Sequence, residues 1–231
     1  HTGVIPFLKK FEATVRCCTQ NGVRGGSATV HFPIWHQEIE DIIVLKNNKG
    51  TDDNRVRKLD YSIQVSKLFY ERFIKDEDIT LFSPHEVPGL YEAFGMPEFD
   101  EMYEKYERKT SIDKKKVRAQ TLFMDLLKER AETGRIYIMN IDHCNTHSSF
   151  KDKVYMSNLC QEITLPTTPI SHIDGDGEIA LCILSAVNLG LIKDKEDLQD
   201  LCDLSVRALE EIIDYQEYPV EAAKKSTLAR R

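Results

Sequence analysis

The sequence predicts an α/β fold. Three observations carry this. Short apolar runs bounded by turn residues, such as RIYIMNID at Arg135–Asp142, read as strands. Segments with apolar residues at helical spacing separate them. Glycine and proline clusters punctuate the joins, as in SPHEVPGL after Phe82. Strands alternating with helices imply parallel pairing.

The elements follow in order. Val4–Cys17 reads as an amphipathic helix with Phe7, Leu8, Phe11 and Val15 on one side. The stretch CTQNGVRGGS, Cys18–Ser27, is a glycine-rich loop, and Ala28–Phe32 is a short strand. Glu38–Leu45 is predicted helical and stops at KNNKG. Asp60–Lys75 reads as a helix, with Ile63, Leu68, Phe69 and Phe73 apolar, and Ile79–Phe82 as a strand. Glu98–Tyr106 and Lys114–Ala131 are predicted helices, and Gly134 closes the second. After the Arg135–Asp142 strand come a loop, HCNTHSSF, and an extended stretch, Ser157–Thr164. HIDGDGE, 172–178, is a turn, and Glu178–Leu184 a buried strand. Lys195–Tyr215 and Val220–Ala229 are helices.

With 231 residues, 41% of them hydrophobic and 30% charged, the chain has the composition of a soluble globular domain or part of one. A net charge of −7 argues against a general nucleic-acid binder. No apolar run is long enough to span a bilayer. Six dispersed cysteines without a CxxC pair point away from a zinc site and towards reduced thiols in a cytoplasmic compartment. The chain begins HTGVIPF, without an initiator Met or signal peptide, and ends AAKKSTLARR, so we expect a piece of a longer protein.

Chemistry concentrates in SNLCQEITLP, Ser157–Pro166. On an extended backbone, residues two apart share a face, so Asn158, Cys160 and Glu162 are expected to point one way and Leu159, Gln161 and Ile163 the other. An amide orients a hydroxyl, a carboxylate takes its proton, and a thiol is a nucleophile or a hydrogen-atom carrier. A thiolate nucleophile wants a cationic neighbour, and here the nearest charge in sequence is the Glu162 anion. The plainer alternative is a strand with one buried Cys and two surface polar residues.

Other motifs have two readings each. The loop TQNGVRGGS lacks GxxxxGK[ST] and GxGxxG; its backbone N–H groups are suited to a phosphate, with Gln20 reading a base edge and Arg24 holding phosphate, or it is a flexible surface loop. HCNTH, His143–His147, resembles a metal pair, but a non-helical loop does not bring the imidazoles together. Arg55, Arg57 and Lys58 form either a solvated helix start or an anion-contact patch. Cys182 reads as a small core residue of its strand.

Taken together, SNLCQEITLPT, GEIALCILSAVNLG, GRIYIMNIDHCNTHSSF, DITLFSPHEVPGLYEAF, NGVRGGSATVHFPIWH, LKNNKG and DYQEYPVEAAKKS resemble the large, catalytic (alpha) subunits of class I ribonucleoside-diphosphate reductases, in consistent order from His1 to Arg231. The resemblance implies part of a ten-stranded α/β barrel with a finger loop carrying the catalytic cysteine. Cys160 then matches the thiyl-radical cysteine that takes a hydrogen atom from the ribose 3′ carbon. Glu162 matches the general base on the 3′ hydroxyl, and Asn158 the residue bonded to the ribose hydroxyls. Cys182 matches one member of the reducing cysteine pair. Cys18–Ser27 matches the mobile loop, with Gln20 and Arg24, between the specificity site and the substrate base.

The resemblance also implies a ribonucleoside-diphosphate substrate, dNTP and ATP effectors, and a homodimer of large subunits. No metal or cofactor belongs to this chain itself. By the same resemblance the radical would come from a metal-containing small subunit, with thioredoxin or glutaredoxin as the reductant. Residues 1–231 would be a partial barrel domain, lacking the N-terminal activity domain, the upstream partner of Cys182, the later barrel strands and the C-terminal tail. Such a piece is not expected to turn over alone. Two competing readings are an adenosylcobalamin-dependent reductase, which shares the finger loop, and a non-catalytic nucleotide-binding regulatory module, which needs only the glycine loop.

Overall fold

The structure, a computed structural model, describes residues 3–172 and 175–231. It divides into two compact units, His1–Pro166 and Thr167–Arg231.

The first unit opens with α1 (Ile5–Cys17), then a small hairpin of β1 (Thr19–Gln20) and β2 (Arg24–Gly25). β3 (Thr29–Pro33), α2 (Ile39–Ile43), β4 (Asp60–Val65) and α3 (Lys67–Ile74) follow. Next come β5 (Asp78–Phe82), α4 (Leu90–Ala93), α5 (Phe99–Arg108), β6 (Lys114–Arg118), α6 (Ala119–Thr133), β7 (Ile136–Asn140) and α7 (Ile141–Thr146). The main sheet has the order β3-β4-β7 and is parallel throughout, with His31 beside Ser62 and Ser62 beside Tyr137. β5 and β6 form a separate antiparallel pair. The α/β class and the parallel pairing are as the sequence implies. Among the described residues no closed barrel is present; the sheets have three, two and two strands.

Two predicted helices are each a strand followed by a helix. Asp60–Lys75 contains β4 and α3, because DYSIQV is buried along its whole length as the central strand of a parallel sheet. Its Ile63 fits a helical stripe with Leu68, Phe69 and Phe73, which hides the break at Ser66, where the backbone is extended (φ −98°, ψ 164°). Lys114–Ala131 contains β6 and α6. KKKVR pairs with β5 from Lys114↔Phe82 to Arg118↔Asp78, so partnership overrides the helix propensity of lysine. Gly134 does end α6, in the left-handed conformation (φ +67°) and with its N–H on Arg130 O at 2.8 Å.

The core is aromatic. Trp35 stands edge-on to Phe94, Phe94 meets Phe99 at 4.8 Å, and Phe99 and Phe82 both meet Tyr103. The buried Tyr103 hydroxyl donates to Thr80 O (2.6 Å) and accepts Thr80 N–H (2.7 Å), so no polar group is stranded there. Arg72 makes a bidentate pair with Glu107 (2.6 and 2.5 Å), and Thr80 Oγ1 donates to the same carboxylate. α1 buries Leu8, whereas Phe7 and Phe11 are exposed.

The second unit holds α8 (Lys195–Tyr215) and α9 (Glu221–Arg230). Asp194 caps α8 by accepting Asp197 N–H at 2.8 Å. The predicted strand Glu178–Leu184 has no regular structure and is largely exposed. Its apolar pattern favours a strand, yet among the described residues it has no sheet partner. Two anchors hold its start: Ser226 Oγ accepts Ile179 N–H (3.2 Å), and Arg230 pairs with Glu178 (2.6 Å). The predicted turn at 172–178 lies partly outside the described residues.

Candidate active site

The segment 155–163 crosses one face of the β3-β4-β7 sheet, and that face is polar. Alternation along β4 turns Ser62 and Gln64 to it, while Tyr61, Ile63 and Val65 face the other way. Thr29 Oγ1 donates to Leu159 O at 2.6 Å. Ser62 donates its hydroxyl proton to Gln161 Oε1, and Gln64 Nε2 donates to Tyr155 O. Gln161 Nε2 donates to Ile138 O of β7 at 2.9 Å. All three strands of the sheet therefore hold the segment.

Ser157–Thr164 is not the expected extended stretch. Gln161 N–H donates to Asn158 O (3.2 Å), Asn158 N–H to Ile163 O (3.4 Å), and Gln161 takes a left-handed backbone (φ +65°). Strict alternation is lost, so the shared face of Asn158, Cys160 and Glu162 does not come from an extended period. The segment forms a turn instead. Asn158 Oδ1 accepts Ile163 N–H at 3.0 Å and the Ser157 hydroxyl at 3.1 Å, closing the turn from inside. Its NH2 group makes no hydrogen bond among the described residues. Cys160 and Glu162 are exposed. Gln161, expected to face away, is the side chain that seats the loop.

Gln20 and Arg24 are register partners in the β1-β2 hairpin. With Gly26, Ser27 and Leu159 they line a pocket of about 390 Å³, so the glycine hairpin adjoins the cysteine loop. Gly26 is needed there for space: a Cβ would lie 2.2 Å from Val15 O. Arg55, Arg57 and Lys58 do not start a helix, since they lead into the strand β4. The two arginines donate to Asn47, Arg55 Nε to Oδ1 and Arg57 Nε to the carbonyl, each at 2.9 Å, and Arg57 pairs with Asp52.

HCNTH is also corrected. It lies largely in α7, and His143 and His147 stand edge to face at 5.3 Å. They border a second pocket, about 340 Å³, with Cys144, Gln161 and Thr164. Burial pushes the Cys144 thiol above its usual range. No group of three or more His, Cys, Asp or Glu is placed to hold a metal among the described residues.

Burial sets the electrostatics of the polar face. Among the described residues the buried His31 ring nitrogens have no hydrogen-bond partner, and burial pulls the imidazole below its usual value. Tyr137, beside Ser62 in register, is pushed up first by burial and then by the nearby Asp60 carboxylate. Cys182 lies in the second unit and is exposed, not the core residue its pattern implies.

Sequence reasoning missed Thr29, His31, Ser62, Gln64 and Gln161. The signal for two of them, Ser62 and Gln64, was present. In DYSIQV, polar and apolar residues alternate at period two, which marks a strand with one polar face.

By its fold and site this is an α/β domain that presents an exposed thiol, flanked by an amide and a carboxylate, on a loop fixed across a parallel sheet. The family model for the ribonucleotide reductase barrel domain matches residues 1–231, and the chain belongs to that family. It is 57% identical to the ribonucleoside-diphosphate reductase subunit alpha of Buchnera aphidicola subsp. Schizaphis graminum (strain Sg) over 237 residues, covering 100% of this chain and 31% of that protein. The subunit alpha of Haemophilus influenzae is also 57% identical, and the reductase 1 subunit alpha of Escherichia coli (strain K12) 54%, with the same coverage. The chain thus spans about a third of the length of these curated relatives.

Proposed function

We propose that residues 1–231 are a central segment of a ribonucleoside-diphosphate reductase large subunit, part of its ten-stranded barrel, with Cys160 on the finger loop. One observation carries the reading: an exposed Cys160 stands at a turn between a bonded Asn158 and an exposed Glu162, in a loop held by three strands. The relatives' names support the reaction.

In this reading the Cys160 thiyl takes the 3′ hydrogen atom of a ribonucleoside diphosphate. Glu162 takes the 3′ hydroxyl proton, and the Asn158 NH2 orients the ribose hydroxyls. The 2′ hydroxyl leaves as water. Two thiols, Cys182 and a partner outside this chain, are oxidised to a disulfide and supply the two electrons. The 3′ hydrogen then returns from Cys160, which regenerates the thiyl. A radical thiol needs no cationic neighbour, so Glu162 is no handicap; what it needs is a fixed position over the sugar.

The radical would come from a metal-containing small subunit, and thioredoxin or glutaredoxin would restore the cysteine pair. Two large subunits would pair, in the cytoplasm. The adjoining hairpin supports a regulatory role: a dNTP or ATP effector moving Gln20 or Arg24 acts next to Leu159. The same pocket favours the second reading, a nucleotide-binding module without catalysis.

The test replaces Cys160 with Ser in a subunit of full length, supplied with its radical-generating partner, dithiol and CDP. The expected result is a loss of about three orders of magnitude or more with nucleotide binding intact. Retained turnover would make Cys160 a structural thiol.

A further inference from the structure

We infer that Gln161 is a positioning residue that sets the location of the Cys160 sulfur through a polar clamp on the sheet beneath. The inference rests on Cys160 being the reacting thiol. The side chain of the residue directly after that thiol, Gln161, is half-buried and turned to the sheet. Its carboxamide accepts the Ser62 hydroxyl proton from β4 and donates to Ile138 O of β7 at 2.9 Å. Ser62 is fully buried at the centre of the sheet, between His31 and Tyr137 in register, so the clamp has a rigid base.

The backbone of Gln161 is left-handed (φ +65°), a conformation that strains any residue with a Cβ. At a position where glycine would relieve the strain, a long amide is present and both ends of it are used. The alternatives for this side chain are poor. An apolar residue would leave the Ser62 hydroxyl and the Ile138 carbonyl without these bonds. A shorter amide would not reach both strands from the same turn. The clamp also borders the pocket lined by His143 and His147, so losing it frees the loop on the side away from the hairpin. Gln161 has no role in the chemistry itself. It fixes the turn, and the turn fixes the thiol.

The experiment uses full-length subunits with the radical-generating partner, and compares Gln161→Leu, Gln161→Glu, Ser62→Ala and Cys160→Ser. For Gln161→Leu, kcat is expected to fall about 10-fold to 100-fold, the cost of misplacing a reacting atom by about an ångström, while the Kd for CDP stays within about twofold. Ser62→Ala removes one of the two bonds and costs about threefold to tenfold in kcat. Gln161→Glu keeps the shape but loses the donor to Ile138 O while ionised. Its kcat relative to the unsubstituted enzyme should therefore rise as the pH is lowered and the carboxyl regains a proton. A purely structural role would not produce that profile. If Cys160→Ser remains active, the thiyl reading itself fails. If Cys160→Ser is inactive but Gln161→Leu and Ser62→Ala keep normal kcat, or if their loss lies in CDP binding, the positioning role is wrong and the thiyl reading stands. Should Gln161→Leu not fold, Ser62→Ala and the Gln161→Glu pH profile decide.

Discussion

Cys160 and Cys182 are both exposed thiols, yet their chain segments are held in opposite ways. The Cys160 loop is fastened by Thr29, Ser62, Gln64 and Gln161 to three parallel strands, and Asn158 closes it from within. The Cys182 segment has no regular structure, and among the described residues its anchors lie at Glu178 and Ile179, which bond to α9 and to Thr168. In the function proposed above, the two thiols have different tasks. Hydrogen-atom transfer depends on a fixed distance, so it wants a rigid mount. Thiol–disulfide exchange needs access for an attacking thiolate, so it tolerates a loose one.

The sharpest way to break this contrast is to soften the mount. Ile63 is fully buried on the apolar side of β4. Ile63→Ala should destabilise the first unit by about 3 kcal/mol. Hydrogen exchange should show lost protection in β3, β4 and β7 and none in α8. Equal loss in α8 would mean that the two units share one stability and the contrast is false.

A smaller effect tests the polar face. Burial holds His31 and His36 below the usual 6.5, so both are neutral in the folded state. Between the lowered values and 6.5 the unfolded chain binds more protons, so stability rises with pH there. It is complete above about 6.5 and is lost as the pH falls. His31→Phe should flatten this dependence, read as the shift in urea midpoint between pH 7 and pH 5.5. An unchanged slope would place the titration elsewhere.

The smallest expected effect is at the loose thiol. Ser226→Ala removes the hydroxyl that stands 2.8 Å from Ile179 O and accepts its N–H. The cost should be about 1 kcal/mol. The alkylation rate of Cys182 should rise while that of Cys160 stays constant. If Cys160 responds as well, the anchors are not independent.

The legible parts of the sequence were those with local causes. α8 has the bounds its pattern implies because Asp194 supplies a cap and the helix-forming run is long. Gly134 marks a helix end because few other residues accept its backbone. Illegible parts depend on distant partners. β6 is a strand because β5 lies beside it, and Glu178–Leu184 is not one because nothing pairs with it among the described residues. At the site, the residue types Asn158, Cys160 and Glu162 were readable, but the turn was not. Its geometry comes from Gln161 bonding Ser62 and Ile138, and no spacing rule on Ser157–Thr164 encodes that.

The bonds that seat the loop also set when it forms. Thr29 and Leu159 are 130 residues apart, and Ser62 and Gln161 are 99 apart. Contacts of such span are slow to close, because the entropy of joining the chain is lost before the bond is gained. The strands beneath must also be in register before Gln161 can bridge two of them. On a ribosome the loop emerges after everything it rests on. The thiol mount is therefore a late product of folding, and a chain interrupted before residue 164 has the sheet strands but no placed cysteine.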